Sequence, residues 1–169
     1  MQNINTERLT LRLLDHNDAP MIVSLLNEPA FIQNIGDKDV NDIAGAKAYI
    51  NNGPLEQFKR YNFCLLCVVV KESNTPIGLC GLIKRDGIEH PEIGYALLQA
   101  HHGKGYAFEA ANGVLAHVKQ KQSMSVLQAI CNPDNKRSIN LLAKLGFERV
   151  KEIFLPPQKQ KVVLFECAL

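Results

Sequence analysis

The 169-residue sequence lacks the features that announce several function classes. It has no excess of charge of one sign: Lys plus Arg is 19 and Asp plus Glu is 17, a net of +2. That balance gives no sign of a nucleic-acid or membrane-surface partner. It leaves room for a small anionic ligand, because a few local groups suffice to hold one. The longest apolar run, Phe63 to Val70, is far short of a membrane span. The opening Met1-Gln2-Asn3-Ile4-Asn5 has no basic region followed by an apolar one, so no signal peptide is read there. Low-complexity segments, repeats and long linkers are also missing. The five cysteines are odd in number and sit mostly inside apolar runs. That argues against a disulfide framework and for reduced thiols in the cytoplasm. No metal site is expected. Cys64-x-x-Cys67 is a single pair in an apolar strand whose side chains alternate, so the two face opposite ways, and His101-His102 has no matching ligand cluster.

What is present suits one folded domain over residues 1–169, with 46% hydrophobic and 21% charged residues. Arg8 to Leu14 alternates polar and apolar, as a half-buried strand does. Asp15 then caps a helix with Asp18 in its first turn, which stops near Asn27 to Pro29. A second helical pattern starts at Asn41 or Asp42 and runs toward Asn52, where Gly53-Pro54 is expected to break it before a short helix through Phe58. Phe63–Val70 reads as a strand covered on both faces, Ile77–Lys84 as its hairpin partner, and Glu92–Leu98 as a third strand. The strongest helix follows, with Ala107, Ala110, Ala111, Val114, Leu115 and Val118 on one stripe. Val126–Cys131 is a buried strand, Ser138–Leu145 a helix ended by Gly146, and Phe147–Lys151 and Lys161–Cys167 are closing strands around a Pro156-Pro157 turn. This order predicts an α+β (mixed α/β) fold.

The segment richest in chemistry is His102-Gly103-Lys104-Gly105-Tyr106-Ala107, a glycine turn between a strand and a helix. The first amides of that helix lack acceptors, and the helix dipole adds positive charge there, so a diphosphate could be held by backbone N–H groups. A plain strand-to-helix turn remains the other reading. P-loop and dinucleotide fingerprints both fail: no Gly-Lys-Ser/Thr ends the run, and Phe108 stands where a third glycine belongs.

Together with Glu92-Ile-Gly-Tyr-Ala-Leu97, Glu109-Ala-Ala111, Asn132-Pro-Asp-Asn135-x-x-Ser138 and Leu142-Ala-Lys-Leu-Gly-Phe147, this turn resembles the acetyl-CoA motif of the GNAT N-acetyltransferases. The opening Thr6-Glu-Arg-Leu-Thr-Leu-Arg12 resembles the RimJ/RimL-like branch. The resemblance implies a mostly antiparallel central sheet flanked by helices. It implies acetyl transfer from acetyl-CoA to an amine, by direct attack while both substrates are bound. It also implies a pyrophosphate loop at His102, Gly103, Lys104, Gly105, Tyr106 and Ala107, with His102 replacing the family's Gln or Arg. Ala96, Leu97 and Leu98 would line the pantetheine arm through their main chain, and Asn132 and Asn135 would contact it across a splay. Lys136 or Arg137 would meet the ribose phosphate, or else are solvated helix charges. Ser138 matches the position proposed to protonate the leaving thiolate, the alternative being a capping role. Glu92 is the expected general base, acting through water, the alternative being a solvent-exposed edge glutamate. His90 and Glu89 are weaker candidates. Tyr95, on the opposite strand face from Glu92, is expected in the core.

The acceptor is expected to meet Phe31, Asn34, Ile35 and Asp37, with Asp37 and Glu92 favouring a cationic amine. It could be a protein N-terminus or side chain, a polyamine, an antibiotic amine or a small metabolite. Its selection would come from the chain's own loops or from a second subunit in a homodimer. The rival from another class is a non-catalytic acyl-CoA-binding module, which would need neither Glu92 nor Ser138.

Overall fold

The computed structural model describes residues 3–156 and 159–169. In chain order the elements are β1 (Ile4–Asn5), β2 (Leu9–Arg12), α1 (Ala19–Leu26), α2 (Pro29–Asn34), α3 (Ile43–Ile50), α4 (Glu56–Tyr61), β3 (Leu65–Val70), β4 (Thr75–Ile83), β5 (Glu92–Leu97), α5 (Tyr106–Lys121), β6 (Val126–Cys131), α6 (Lys136–Lys144), β7 (Glu148–Leu155) and β8 (Gln160–Ala168). The strands form one sheet in the order β1-β2-β3-β4-β5-β6-β8-β7. Every neighbouring pair is antiparallel except β5 and β6. The fold is α+β, as the order of elements predicts.

Helices cover both faces. The apolar stripe of α5 (Ala110, Ala111, Val114, Leu115, Val118) packs with Leu9, Leu11, Leu66, Val68 and Leu127 on one side. On the other, α1 and α3 bury Ile22, Leu25, Leu26 and Ile50 with Val69 and Leu79. Each such aliphatic side chain contributes about 1.5–3 kcal/mol on burial. Cys64 and Cys67 fall in these opposite cores, as strand alternation predicts, and all five cysteines are buried free thiols. Burial pushes the Cys64 thiol up to about 11, away from reactive thiolate chemistry.

Asp15 and Asp18 form a capping box just before α1. Asp18 is buried and holds Arg12 in a two-point ion pair, at 2.8 Å to each nitrogen. Burial pushes the Asp18 carboxyl up, but Arg12 and the Asp15 amide outweigh it and hold the group below its ordinary value.

One expectation needs correction, and two elements were not expected. Gly53-Pro54 does not break the helix. Residues Asn51–Leu55 form a widened π-type turn joining α3 to α4, which makes room for the proline ring and its missing N–H. The segment after Pro29 is helical, with proline in the first turn where its lost N–H costs nothing. The N-terminal Ile4–Asn5 adds an edge strand too short for periodicity to reveal. Pro157 of the expected Pro156-Pro157 turn, and the first two residues of the opening segment, lie outside the described residues. No helix among the described residues is long and apolar enough to cross a membrane.

Candidate active site

The one parallel contact in the sheet creates the site. β5 and β6 share a single registered pair, Glu92 with Gln128, and diverge beyond it. Gln128 pins the base of the resulting V. Its buried carboxamide accepts from the His90 amide (2.9 Å) and donates to Glu166 on β8 (2.7 Å). Between the two strands opens a cleft of about 370 Å³, lined on β5 by Glu92, Gly94, Tyr95, Ala96 and Leu97 and on β6 by Ile130 and Cys131.

At that end β5 runs into the glycine turn. Gly103 (φ 74°) and Gly105 (φ 79°) take left-handed conformations that a side chain would strain, and Gly105 is the N-cap of α5. His102 and Ala107 line the cleft, and Gly103, Lys104, Gly105 and Tyr106 shape the turn beside it. The turn is braced from the far side by β2 and its approach, a contact that local sequence pattern does not signal. The Arg8 guanidinium donates to the Lys104 carbonyl (2.9 Å) and to Glu109 (2.6 Å), and it stacks over the Tyr106 ring at 4.6 Å. The Arg8 amide and the Thr6 hydroxyl also donate to Glu109, at 2.7 and 2.6 Å.

His102 has two partners. Arginine only donates, so the ring accepts from Arg137 at Nδ1 (2.9 Å) and donates from Nε2 to the Leu97 carbonyl (2.7 Å). Arg137 lines the cleft while staying exposed on α6. Leu98 is corrected. Its amide donates to Ile77 on the β4 side (2.9 Å), so it faces away from the V; the same alternation turns the Ala96 amide toward β4, which corrects its main-chain role too, and turns the Leu97 amide toward the V.

Asn132 and Asn135 both line the cleft. Each spends its carboxamide oxygen locally, on the Asp134 amide (3.0 Å) and the Ser138 amide (3.2 Å), leaving its NH2 group as the donor it can offer. Asn135 is thus the α6 cap, and the hydroxyl of Ser138 is not. That hydroxyl meets the Tyr95 phenol at 2.8 Å. The expectation that Tyr95 is a core residue holds for its ring and fails for its hydroxyl. The strands splay, so the cleft passes through the sheet and collects side chains from both faces. Burial raises the Tyr95 phenol well above its ordinary pKa, so it keeps its proton.

Glu92, at the other end of the cleft, is not a solvent-exposed edge residue. It is 4% exposed and paired with Arg85 at 2.7 Å. Burial raises its pKa, partly offset by Arg85 and then by Lys38. Phe31, Asn34 and Ile35 line this cleft as expected. Asp37 is not among the lining residues; its carboxylate folds back on the Asp39 amide (2.8 Å), and Lys38 takes its place at the mouth. His90 and Glu89 also lie outside the lining. Lys38, Arg85 and the Tyr95 hydroxyl are site groups that the sequence reading misses, since no local pattern marks them and the chain's folding brings them to the cleft.

A family model described as an acetyltransferase (GNAT) domain matches residues 8–148. The chain belongs to the GNAT acetyltransferase family. It is an acyltransferase enzyme with the GNAT fold. The GNAT domain is 31% identical over 154 residues to a Bacillus licheniformis protein named uncharacterized N-acetyltransferase p20, covering 88% of this chain and 84% of that one. A solved GNAT-family acetyltransferase from Bacillus anthracis superposes with a TM-score of 0.82 at 20% identity, over 99% of this chain and 98% of that one. RimL, a ribosomal L7/L12 alpha-N-protein acetyltransferase solved in complex with coenzyme A, superposes with a TM-score of 0.82 at 15% identity, over 99% and 98% of the two chains. Structural neighbours of this GNAT domain thus include RimL-like ribosomal-protein acetyltransferases.

Proposed function

We propose that residues 1–169 form one cytoplasmic catalytic domain that moves an acetyl group from acetyl-CoA to a primary amine, by direct attack in a ternary complex. The observation that carries this reading is the V between β5 and β6. One cleft joins a helix N-terminus on a glycine turn to a buried carboxylate at the start of β5.

The residues present suit acyl-CoA as a substrate. The turn at Gly103 and Gly105 and the first amides of α5 suit a diphosphate. Arg137, held by His102, adds a cation where the family's loop carries Gln or Arg. The Leu97 amide edges the open strand, and Asn132 and Asn135, in the turn between β6 and α6, line the same cleft with their NH2 groups uncommitted.

The amine nitrogen attacks the thioester carbonyl carbon, forming the N–C bond as the C–S bond breaks. The nitrogen's proton goes to the Glu92 carboxylate, directly or through a water, and its raised pKa makes Glu92 a stronger base than an exposed glutamate. The departing sulfur takes a proton from the Ser138 hydroxyl, which the Tyr95 hydroxyl orients from 2.8 Å, and water makes that proton good. Holding amine and thioester together in one cleft supplies much of the rate.

Thiol release from acetyl-CoA with a panel of peptide and small-molecule amines tests this reading. Amine-dependent release that Glu92→Gln removes supports it. Tight acyl-CoA binding with no turnover on any amine would favour a binding module.

A further inference from the structure

Charge at the acceptor end of the cleft is unbalanced. Glu92 is paired with Arg85 at 2.7 Å. Lys38 lines the same mouth, and among the described residues it has no ion pair within 4 Å. Nearby acids do not neutralise it. Asp37 is turned onto the Asp39 amide, and Glu89 is exposed beside His90 at 3.8 Å. Lys38 as a residue is exposed, yet burial of its ammonium and then the field of Arg85 lower its pKa against the pull of Glu92. At this end two cations therefore meet one carboxylate, beside the apolar walls of Phe31, Ile35 and Tyr49; the other acid of the lining, Glu28, is bound to the Gln99 amide (3.1 Å) past the far end of β5. One positive charge is left for a ligand to match.

From this juxtaposition we propose that the acceptor is an amine that also carries a carboxylate. Lys38 binds the carboxylate with Arg85 behind it, and the amine nitrogen lies toward Glu92. The proposal rests on the acetyltransferase reading and narrows it. The carboxylate can belong to a free amino acid or to an acidic side chain close to a protein N-terminus, since both present the same groups. A polyamine fits poorly, because its second cation would meet Lys38 and Arg85.

Two matched pairs of probes test it with acetyl-CoA and thiol release. The dipeptide amides Ala-Glu-NH2 and Ala-Gln-NH2 share an N-terminal amine and differ in one carboxylate. The second pair is 4-aminobutyrate and its amide. The acidic member of at least one pair should have a kcat/KM about tenfold higher, the size expected of a hydrogen bond to a charged group. The pair that shows the preference identifies the source. Lys38→Glu should bring the acidic-to-neutral ratio to one or below, and added salt should reduce it, because Lys38 is exposed.

Calorimetry of the same probes on the CoA-bound protein gives a readout free of turnover. Tighter binding of the acidic probe, lost in Lys38→Glu, with no turnover would uphold this site and defeat the acetyltransferase reading. Turnover of both members at equal kcat/KM would overturn this site and keep that reading. A ratio unmoved by Lys38→Glu, or neither binding nor turnover of any probe, would also overturn it.

Discussion

At the carboxyl ends of β5 and β6 the cleft is shaped by backbone that glycine has turned. At the start of β5 it is shaped by side chains gathered from separate segments: Phe31 and Asn34 of α2, Lys38, Arg85 and Glu92. The first end suits a ligand recognised through amides, which any sequence with the right turn supplies. The second suits a ligand recognised through charge and shape, which each substitution changes. One fold can therefore keep its donor while altering its acceptor. The small net charge fits this division, because oriented amides and one or two cations would suffice for the anion proposed at the glycine turn.

The largest effect should come from the acceptor end. Glu92→Gln is expected to lower kcat by about 10²–10⁴, the usual worth of a positioned base. Glu92's pKa is raised, so wild-type kcat/KM should fall as acid protonates it, along a limb lying above the ordinary glutamate range. That limb should vanish in Glu92→Gln, and a pH–rate profile checks it; a surviving limb would assign it to another group. At the donor end, Gly105→Glu should weaken acyl-CoA binding by about a hundredfold or more. It forces a side chain onto φ 79°, sets a Cβ 3.3 Å from the Arg8 guanidinium, and adds a like charge where a phosphate is expected. Calorimetry with CoA reads this directly, and unchanged affinity would remove the turn from the binding site.

Ser138→Ala should lower kcat about ten- to hundredfold, with CoA affinity nearly unchanged. Tyr95→Phe should follow it with a smaller loss, because the phenol acts through Ser138. Equal losses in affinity and turnover would mean that the pair only packs the cleft. The smallest effect is expected for Arg8→Ala, a few-fold rise in the Kd for CoA with kcat preserved, since its ion pair is partly exposed. A fall in kcat alone would show that the brace acts on the reaction and not on the turn.

Legibility in the sequence follows the same division. The stripe of α5, the hairpin of β3 and β4 and the cap at Asp15 are local patterns, set within a few residues and readable without a partner. The turn at Gly103 and Gly105 is also local, because positive φ is a property of single residues. The π-type turn at Pro54 escaped local reading because the chain found room to widen instead of ending. Asp37 was misplaced for a related reason. A loop residue's direction depends on which amide it finds first, and Asp37 finds that of Asp39. The Tyr95 hydroxyl was hidden because alternation assumes an intact sheet, and the sheet divides where it matters.

The sequence by itself determined most of the secondary elements, their two apolar faces and the glycine turn. These depend on residue period, volume and backbone freedom, which act within a few residues. Only the tertiary structure decided that β5 and β6 meet at one pair and then part. It alone brought Ser138 to Tyr95, His102 to Arg137 and Glu92 to Arg85. Those contacts join residues up to 43 positions apart, and their directions are set by how the helices and strands pack.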